Sequence, residues 1–147
     1  SGICHTDYEI LKGNYGSNSF PLIPGHEFAG IIAKVGSNVK DFKVGDRVVV
    51  DPNIGCNQCQ ACFRGWVHLC ENLGAYGVST DGGFAEYCSV ALARVHQISD
   101  IPYKRAALAE PIGCVLNAID TVHTKWVPKQ RAIFVTRAPV RELCLFV

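Results

Sequence analysis

The chain has 147 residues, 14 basic and 13 acidic, for a formal charge of +1, and 48% of it is hydrophobic. That size bounds it to one ordinary domain, or one domain with a short appended piece. Near-balanced charge, with 18% charged residues and no long Lys/Arg run, argues against nucleic acid or an anionic membrane as partner, and no apolar stretch approaches the roughly 18–20 residues of a membrane span.

In chain order, residues 5–12 suit a short helix, stopped by Gly13 and the polar stretch 14–19. A loop runs from there to Pro24. Residues 28–35 form an apolar, partly β-branched run closed by Gly36-Ser37-Asn38, and residues 47–50 a shorter one preceded by Gly45-Asp46; both read as strands. Residues 52–83 are rich in Gly, Cys, Asn and Asp without a sustained period. Something other than a hydrophobic core must hold so long a segment in shape, and a bound metal would serve. Residues 84–98 resemble strand again. Residues 102–122 read as a helix, with Ala106, Leu108, Ile112, Val115, Leu116 and Ile119 recurring at roughly helical spacing and Pro111 expected to kink it. Residues 131–136 have a strand's composition. The chain shows neither an internal repeat nor a low-complexity tract.

Eight cysteines call for a choice between disulfides, metal ligands and core residues. Residues 1–20 lack the basic-then-apolar layout of a signal peptide, so a cytosolic setting is expected and disulfides are disfavoured. Cys56-Asn-Gln-Cys59-Gln-Ala-Cys62, followed after seven residues by Cys70, places four thiols within fifteen residues. A loop that short can close them into a tetrahedron around zinc, with sulfurs at about 2.3 Å and no position left for substrate, which makes the role structural. An iron–sulfur cluster is the rival, but bacterial ferredoxins continue with x3-Cys-Pro, whereas here the gap is seven and Glu71 follows.

A catalytic zinc keeps three protein ligands and one open position, and its ligands come from distant parts of a chain. Candidates are Cys4 in Gly2-Ile3-Cys4-His5-Thr6-Asp7, His26 and Glu27 in Pro24-Gly25-His26-Glu27-Phe28, and Glu110 or Cys114 in Ala109-Glu110-Pro111-Ile-Gly-Cys114. Taken one at a time, a lone Cys also reads as a small core hydrophobe and a lone His as an ordinary polar residue.

Together these residues resemble the zinc-dependent medium-chain dehydrogenases, the alcohol and polyol dehydrogenase family. Its zinc signature has Gly-His-Glu followed by spaced glycines and a small or aliphatic residue; here Gly25-His26-Glu27, Gly30, Gly36 and Val39 stand in that register. Gly-Ile-Cys-His-Thr-Asp at 2–7, the four-cysteine loop, Gly-Gly-Phe-Ala-Glu-Tyr at 82–87 and Ala-Glu-Pro at 109–111 follow in the family's order. The resemblance reaches from residue 1 to about 135. It implies a mainly β fold with peripheral helices: a GroES-like catalytic domain over 1–128, incomplete at its N-terminus, with a zinc lobe at about 52–75. A stub of Rossmann α/β nucleotide-binding domain would occupy 129–147.

Carried over, Cys4 and His26 would be direct ligands of a catalytic zinc and Glu27 a close or exchanging one. The fourth is open between Glu110, as in sorbitol-dehydrogenase-like members, and Cys114, as in other alcohol dehydrogenases; Glu110 is preferred, which moves the expected substrate toward polyols. Cys56, Cys59, Cys62 and Cys70 would hold the structural zinc. Asp7 would orient the His26 imidazole, although an acid in a helix's first turn explains it about equally well. The chemistry implied is hydride transfer from an alcohol to NAD or NADP, assisted by zinc as a Lewis acid. Thr6 could pass the alcohol proton outward, and His5 could continue the relay or meet a cofactor phosphate. Homo-oligomers are usual in the family.

Where the family has Gly-x-Gly-x-x-Gly after the first Rossmann strand, Thr136, Ala138 and Arg141 take the glycine positions, which removes the close backbone approach to a pyrophosphate. With no Met and a start at Ser1, a fragment is expected, one that binds zinc but turns over no substrate alone. The alternative is a non-enzymatic zinc-binding module or truncated isoform.

Overall fold

The computed structural model describes residues 1–15 and 20–125, with side chains up to residue 121. The chain divides into a unit of residues 1–114 and a second of 115–147. The strand expected at 131–136 and the whole of 129–147 lie outside the described residues.

The first unit begins with helix α1 (His5–Leu11), close to the expected span. Its start is written locally. Asp7, the third helical residue, reaches back to accept the Cys4 backbone N–H at 2.8 Å, satisfying one of the donors that a helix start leaves unpaired. Its end is Gly13, whose φ of 75° lies in the left-handed region that glycine adopts without steric cost. The helix buries Asp7 and Ile10.

Strands β1 (Ala29–Ile31), β2 (Arg47–Val50) and β5 (Val95–Gln97) form an antiparallel sheet in the order β1-β2-β5. Register pairs Ala29 with Val49 and Val49 with His96. As the central strand, β2 has its backbone paired on both edges, and Val48, Val49 and Val50 are all buried. Each such valine contributes about 1.5–3 kcal/mol through burial. Phe28, Val50 and Tyr76 form a core cluster, with Ile54, Cys88 and Val90 packed against it.

Both long runs expected as strands are mostly something else. After Ile31, the Ile32 N–H still bonds the Asp46 carbonyl and the Gly45 N–H bonds the Ile32 carbonyl, each at 2.9 Å. The chain then leaves the ladder through residues 33–45, with Gly45 at φ 93°. Of residues 84–98 only Val95–Gln97 pair as strand, preceded by a 3-10 turn at Leu92–Arg94; Cys88 and Val90 cover the core cluster without pairing as strand. Apolar content overstated both pairing and burial: Phe28 is buried, but Ile31, Phe84, Tyr87 and Leu92 are exposed.

Segment 52–83 is more ordered than its composition indicates. Strands β3 (Asn53–Ile54) and β4 (Gly74–Ala75) pair antiparallel across its neck, and between them lie helix α2 (Gln60–Phe63) and a 3-10 turn at Val67–Leu69. The expected helix at 102–122 is two helices, α3 (Tyr103–Ala106) and α4 (Ala109–Lys125). Pro111 makes no kink because it falls in the first turn of α4, where its missing N–H would be unpaired anyway; the break comes earlier, at residues 107–108. Of the second unit the described part is the remainder of α4. Among the described residues no helix is long and apolar enough to cross a membrane.

Candidate metal centres

Two groups of side chains in the first unit have the composition and spacing of metal sites. In the neck-closed lobe, the sulfurs of Cys56, Cys59, Cys62 and Cys70 lie within 4.8 Å of one another. No disulfide joins them. Cys59 Sγ and Cys70 Sγ are 3.9 Å apart, close to the about 3.8 Å that a regular tetrahedron with metal–sulfur bonds of 2.3 Å requires. The turn after Cys56 aims backbone at sulfur: Asn57 takes a φ of 57°, a conformation Asn tolerates better than most residues, and the Gln58 N–H points at Cys56 Sγ at 3.5 Å. The Cys56 N–H in turn donates to Cys70 Sγ at 3.2 Å.

These donors favour thiolate. Backbone N–H groups of Cys62 and Glu71 draw the Cys59 thiol down to about 6, and that of Cys56 lowers Cys70. Loss of solvent pushes Cys62 up to about 11, with its sulfur neighbours adding to the effect. Several sulfurs crowded together, some already biased to the anion, suit a soft divalent cation.

The second group is assembled from two segments. Cys4 caps α1, and His26 and Glu27 lie just before β1; their ligand atoms come within 4.8 Å of one another. Gly2 ties the segments together, its N–H donating to the Glu27 carbonyl at 2.7 Å. Asp7 ties them again. One of its carboxylate oxygens takes the Cys4 N–H, and the other takes the Gly25 N–H at 3.2 Å and lies 3.5 Å from His26 Nδ1. Both Asp7 and His26 are buried, at 3% and 6% exposure.

His26 Nδ1 approaches Asp7 without hydrogen-bond geometry and has no other partner. An orphaned nitrogen on a buried imidazole is costly, and a metal held by this ring would fix its orientation beside the Asp7 carboxylate. One imidazole, one thiol and one carboxylate are a donor set that fits zinc.

Glu110, in the first turn of α4, stands outside that group of three, but its carboxyl is electrostatically coupled to it. Burial holds the Glu110 carboxyl above its usual range, with His26 opposing and Glu27 and Asp51 reinforcing the shift. Cys114, one turn later, donates its thiol to Glu110 Oε1 at 3.6 Å and is pushed up to about 11, by burial first and then by the Glu110 charge. Spacing of i and i+4 thus puts both candidate fourth ligands on one helix face. Thr6 presents its hydroxyl oxygen 3.6 Å from Cys4 Sγ. The His5 side chain is 80% exposed, with Nε2 3.4 Å from Glu9 Oε1.

One pair beside the site carries no local signal in the sequence. Arg94 donates to Asp51 Oδ2 at 3.0 Å, while Asp51 Oδ1 takes the Asn53 backbone and side-chain N–H groups. Its partners come from the end of β2 and from the turn before β5, 43 residues apart.

Comparison with known proteins bears on both centres. Residues 1–100 match the alcohol dehydrogenase GroES-like domain. A D-altritol 5-dehydrogenase of Agrobacterium fabrum is 49% identical over 137 residues, 91% of this chain and 41% of that protein. Galactitol-1-phosphate dehydrogenase of Escherichia coli superposes with a TM-score of 0.77 at 35% identity, over 84% of this chain and 36% of that one. A short chain alcohol dehydrogenase of E. coli CFT073, solved with NADH, superposes equally, with the same score, identity and coverage. This chain spans about two fifths or less of the length of these relatives. With the domain match covering residues 1–100 and its fold shared with solved dehydrogenases, the chain belongs to the alcohol dehydrogenase GroES-like domain family.

Proposed function

We propose that this chain is the zinc-bearing catalytic portion of an NAD- or NADP-linked dehydrogenase acting on a small alcohol or polyol in the cytoplasm. The domain boundary at 128/129, with a nucleotide-binding part beginning there, belongs to the same proposal. The observation that carries it is the meeting of Cys4, His26 and Glu27 within 4.8 Å, two of them buried against or bonded to the buried Asp7 carboxylate. The polyol dehydrogenase names of relatives such as the D-altritol 5-dehydrogenase support the substrate class, and the NADH-bound neighbour supports the cofactor.

Cys4, His26 and Glu27, with Glu110 as the fourth ligand in preference to Cys114, would hold a zinc ion that supplies Lewis acidity toward the alcohol oxygen. The chain's own groups do the rest. Asp7 faces His26 Nδ1 at 3.5 Å and holds the Cys4 backbone by accepting its N–H. Thr6, next to Cys4, offers a hydroxyl that can accept the alcohol proton and release its own outward. His5, on the exposed side of α1, would continue that relay or meet an anionic group of the cofactor. Cys56, Cys59, Cys62 and Cys70 would hold a second zinc that closes the lobe and performs no chemistry.

Elemental analysis of protein purified without added metal tests this reading. Two zinc ions per chain, falling to one in Cys4→Ser and to one in Cys59→Ser, are expected. A single zinc, lost only in Cys59→Ser, would favour a zinc-binding module without catalysis, and iron in the lobe would overturn the assignment of both centres.

A further inference from the structure

The backbone that presents His26 is held by a segment with no ligand of its own. Residues 81–84 bond residues 23–25 at four points. The Ile23 N–H donates to Asp81 Oδ1 at 2.9 Å; Gly82, Phe84 and Gly83 donate their N–H groups to the carbonyls of Ile23, Pro24 and Gly25 at 2.8, 3.0 and 2.8 Å. Pro24 has no N–H, and the Gly25 N–H goes to Asp7. Every backbone polar group from Ile23 to Gly25 is therefore satisfied by either Asp7 or residues 81–84, which leaves this stretch little freedom to shift.

Packing makes the same contact exclusive. Gly25 has a φ of 95°, and a Cβ there would lie 2.7 Å from Phe84 Cδ1 and 2.9 Å from the Phe84 nitrogen. A Cβ on Gly77 would lie 2.5 Å from the Gly25 carbonyl oxygen, and one on Gly82 would run into that same oxygen. Backbone is thus pressed on backbone one residue before His26. Among residues 81–84, Asp81 is the one whose side chain hydrogen-bonds this segment.

We propose that Asp81 is a positioning residue for the Cys4/His26/Glu27 centre: by holding the Ile23 N–H it fixes the backbone from which His26 is presented to the metal. The proposal rests on reading that centre as a metal site. Asp81 touches neither metal ligand nor substrate, so its effect is expected on affinity at one centre and not at the other. The bond is exposed and acts on His26 through the backbone from Ile23, so the effect is expected at the low end of the 10–100-fold range for groups that orient a metal ligand, about tenfold.

The test is titration of the metal-free protein with Co2+ alone; both centres contain a thiolate, so the bands of each are assigned by their loss in Cys4→Ser, which removes a ligand of the His26 centre, and in Cys59→Ser, which removes one of the lobe. Asp81→Ala is expected to weaken binding at the His26 centre about tenfold and to leave the lobe unchanged. Asp81→Asn keeps an oxygen that accepts the Ile23 N–H and is expected to restore affinity to within about twofold. Amide exchange at Ile23 should accelerate in Asp81→Ala and not in Asp81→Asn. If wild type and Asp81→Ala bind Co2+ equally at the His26 centre, the positioning role is overturned while the metal site stands. If wild type takes up Co2+ only in the lobe, the metal-site reading falls and this proposal with it.

Discussion

Asp7→Asn is the sharpest perturbation of the candidate catalytic centre, because one nearly inaccessible carboxylate serves three groups. Asp7 is 3% exposed and accepts the N–H groups of Cys4 and Gly25 at 2.8 and 3.2 Å while facing His26 Nδ1 at 3.5 Å. Asparagine has the same shape but only one acceptor oxygen, so whichever way the amide turns, its NH2 meets a backbone N–H that needs an acceptor. Losing one charge-assisted bond and leaving a buried donor unpaired corresponds to about 2–3 kcal/mol of stability. Two segments that carry ligands would also lose a shared anchor, which corresponds to a further loss of about 10–100-fold in zinc affinity. The first effect is read from urea unfolding of the metal-free protein and the second from zinc competition with a chromophoric chelator. A variant within about 0.5 kcal/mol of wild type, with unchanged zinc affinity, would refute the reasoning and reduce Asp7 to a helix-start residue.

Further measurements address the sheet and the fourth ligand. Val49→Ala removes two methyl groups from a buried position in the central strand and should lower stability by about 2 kcal/mol in urea, with zinc stoichiometry intact; a change below about 0.5 kcal/mol would mean the sheet is not the core. Glu110→Gln should weaken zinc binding at the Cys4/His26 centre while Cys114→Ala leaves it within about twofold, since removing a ligand outweighs removing a neighbour; the reverse result would make Cys114 the ligand.

Local features were legible in the residues. Four cysteines within fifteen positions can meet whatever the rest of the chain does, because closing so short a loop costs little entropy. Helix α1 is similarly self-declaring, since Asp7 caps its start from three residues away and Gly13 ends it. Cys4, His26 and Glu27 stand out as a group only through the family pattern; the chemistry of each residue alone favours an ordinary core or polar role. The strands are shorter than the apolar runs because a run's composition fixes neither pairing nor burial: of residues 84–94 Cys88 and Val90 pack on the core cluster, whereas Phe84, Tyr87 and Leu92 are exposed.

Residue types and short spacings, then, determined which groups this protein has available for metal. Tertiary structure alone decided which of them meet. It brought His26 to Cys4 through the bonds of Gly2 and Asp7, set Arg94 on Asp51 across 43 residues, and laid residues 81–84 along the backbone before His26. The physical reason is that each of these contacts joins segments whose separation in sequence leaves no periodic trace. Their backbone groups find partners only once the core around Phe28, Val50 and Tyr76 has brought the segments together.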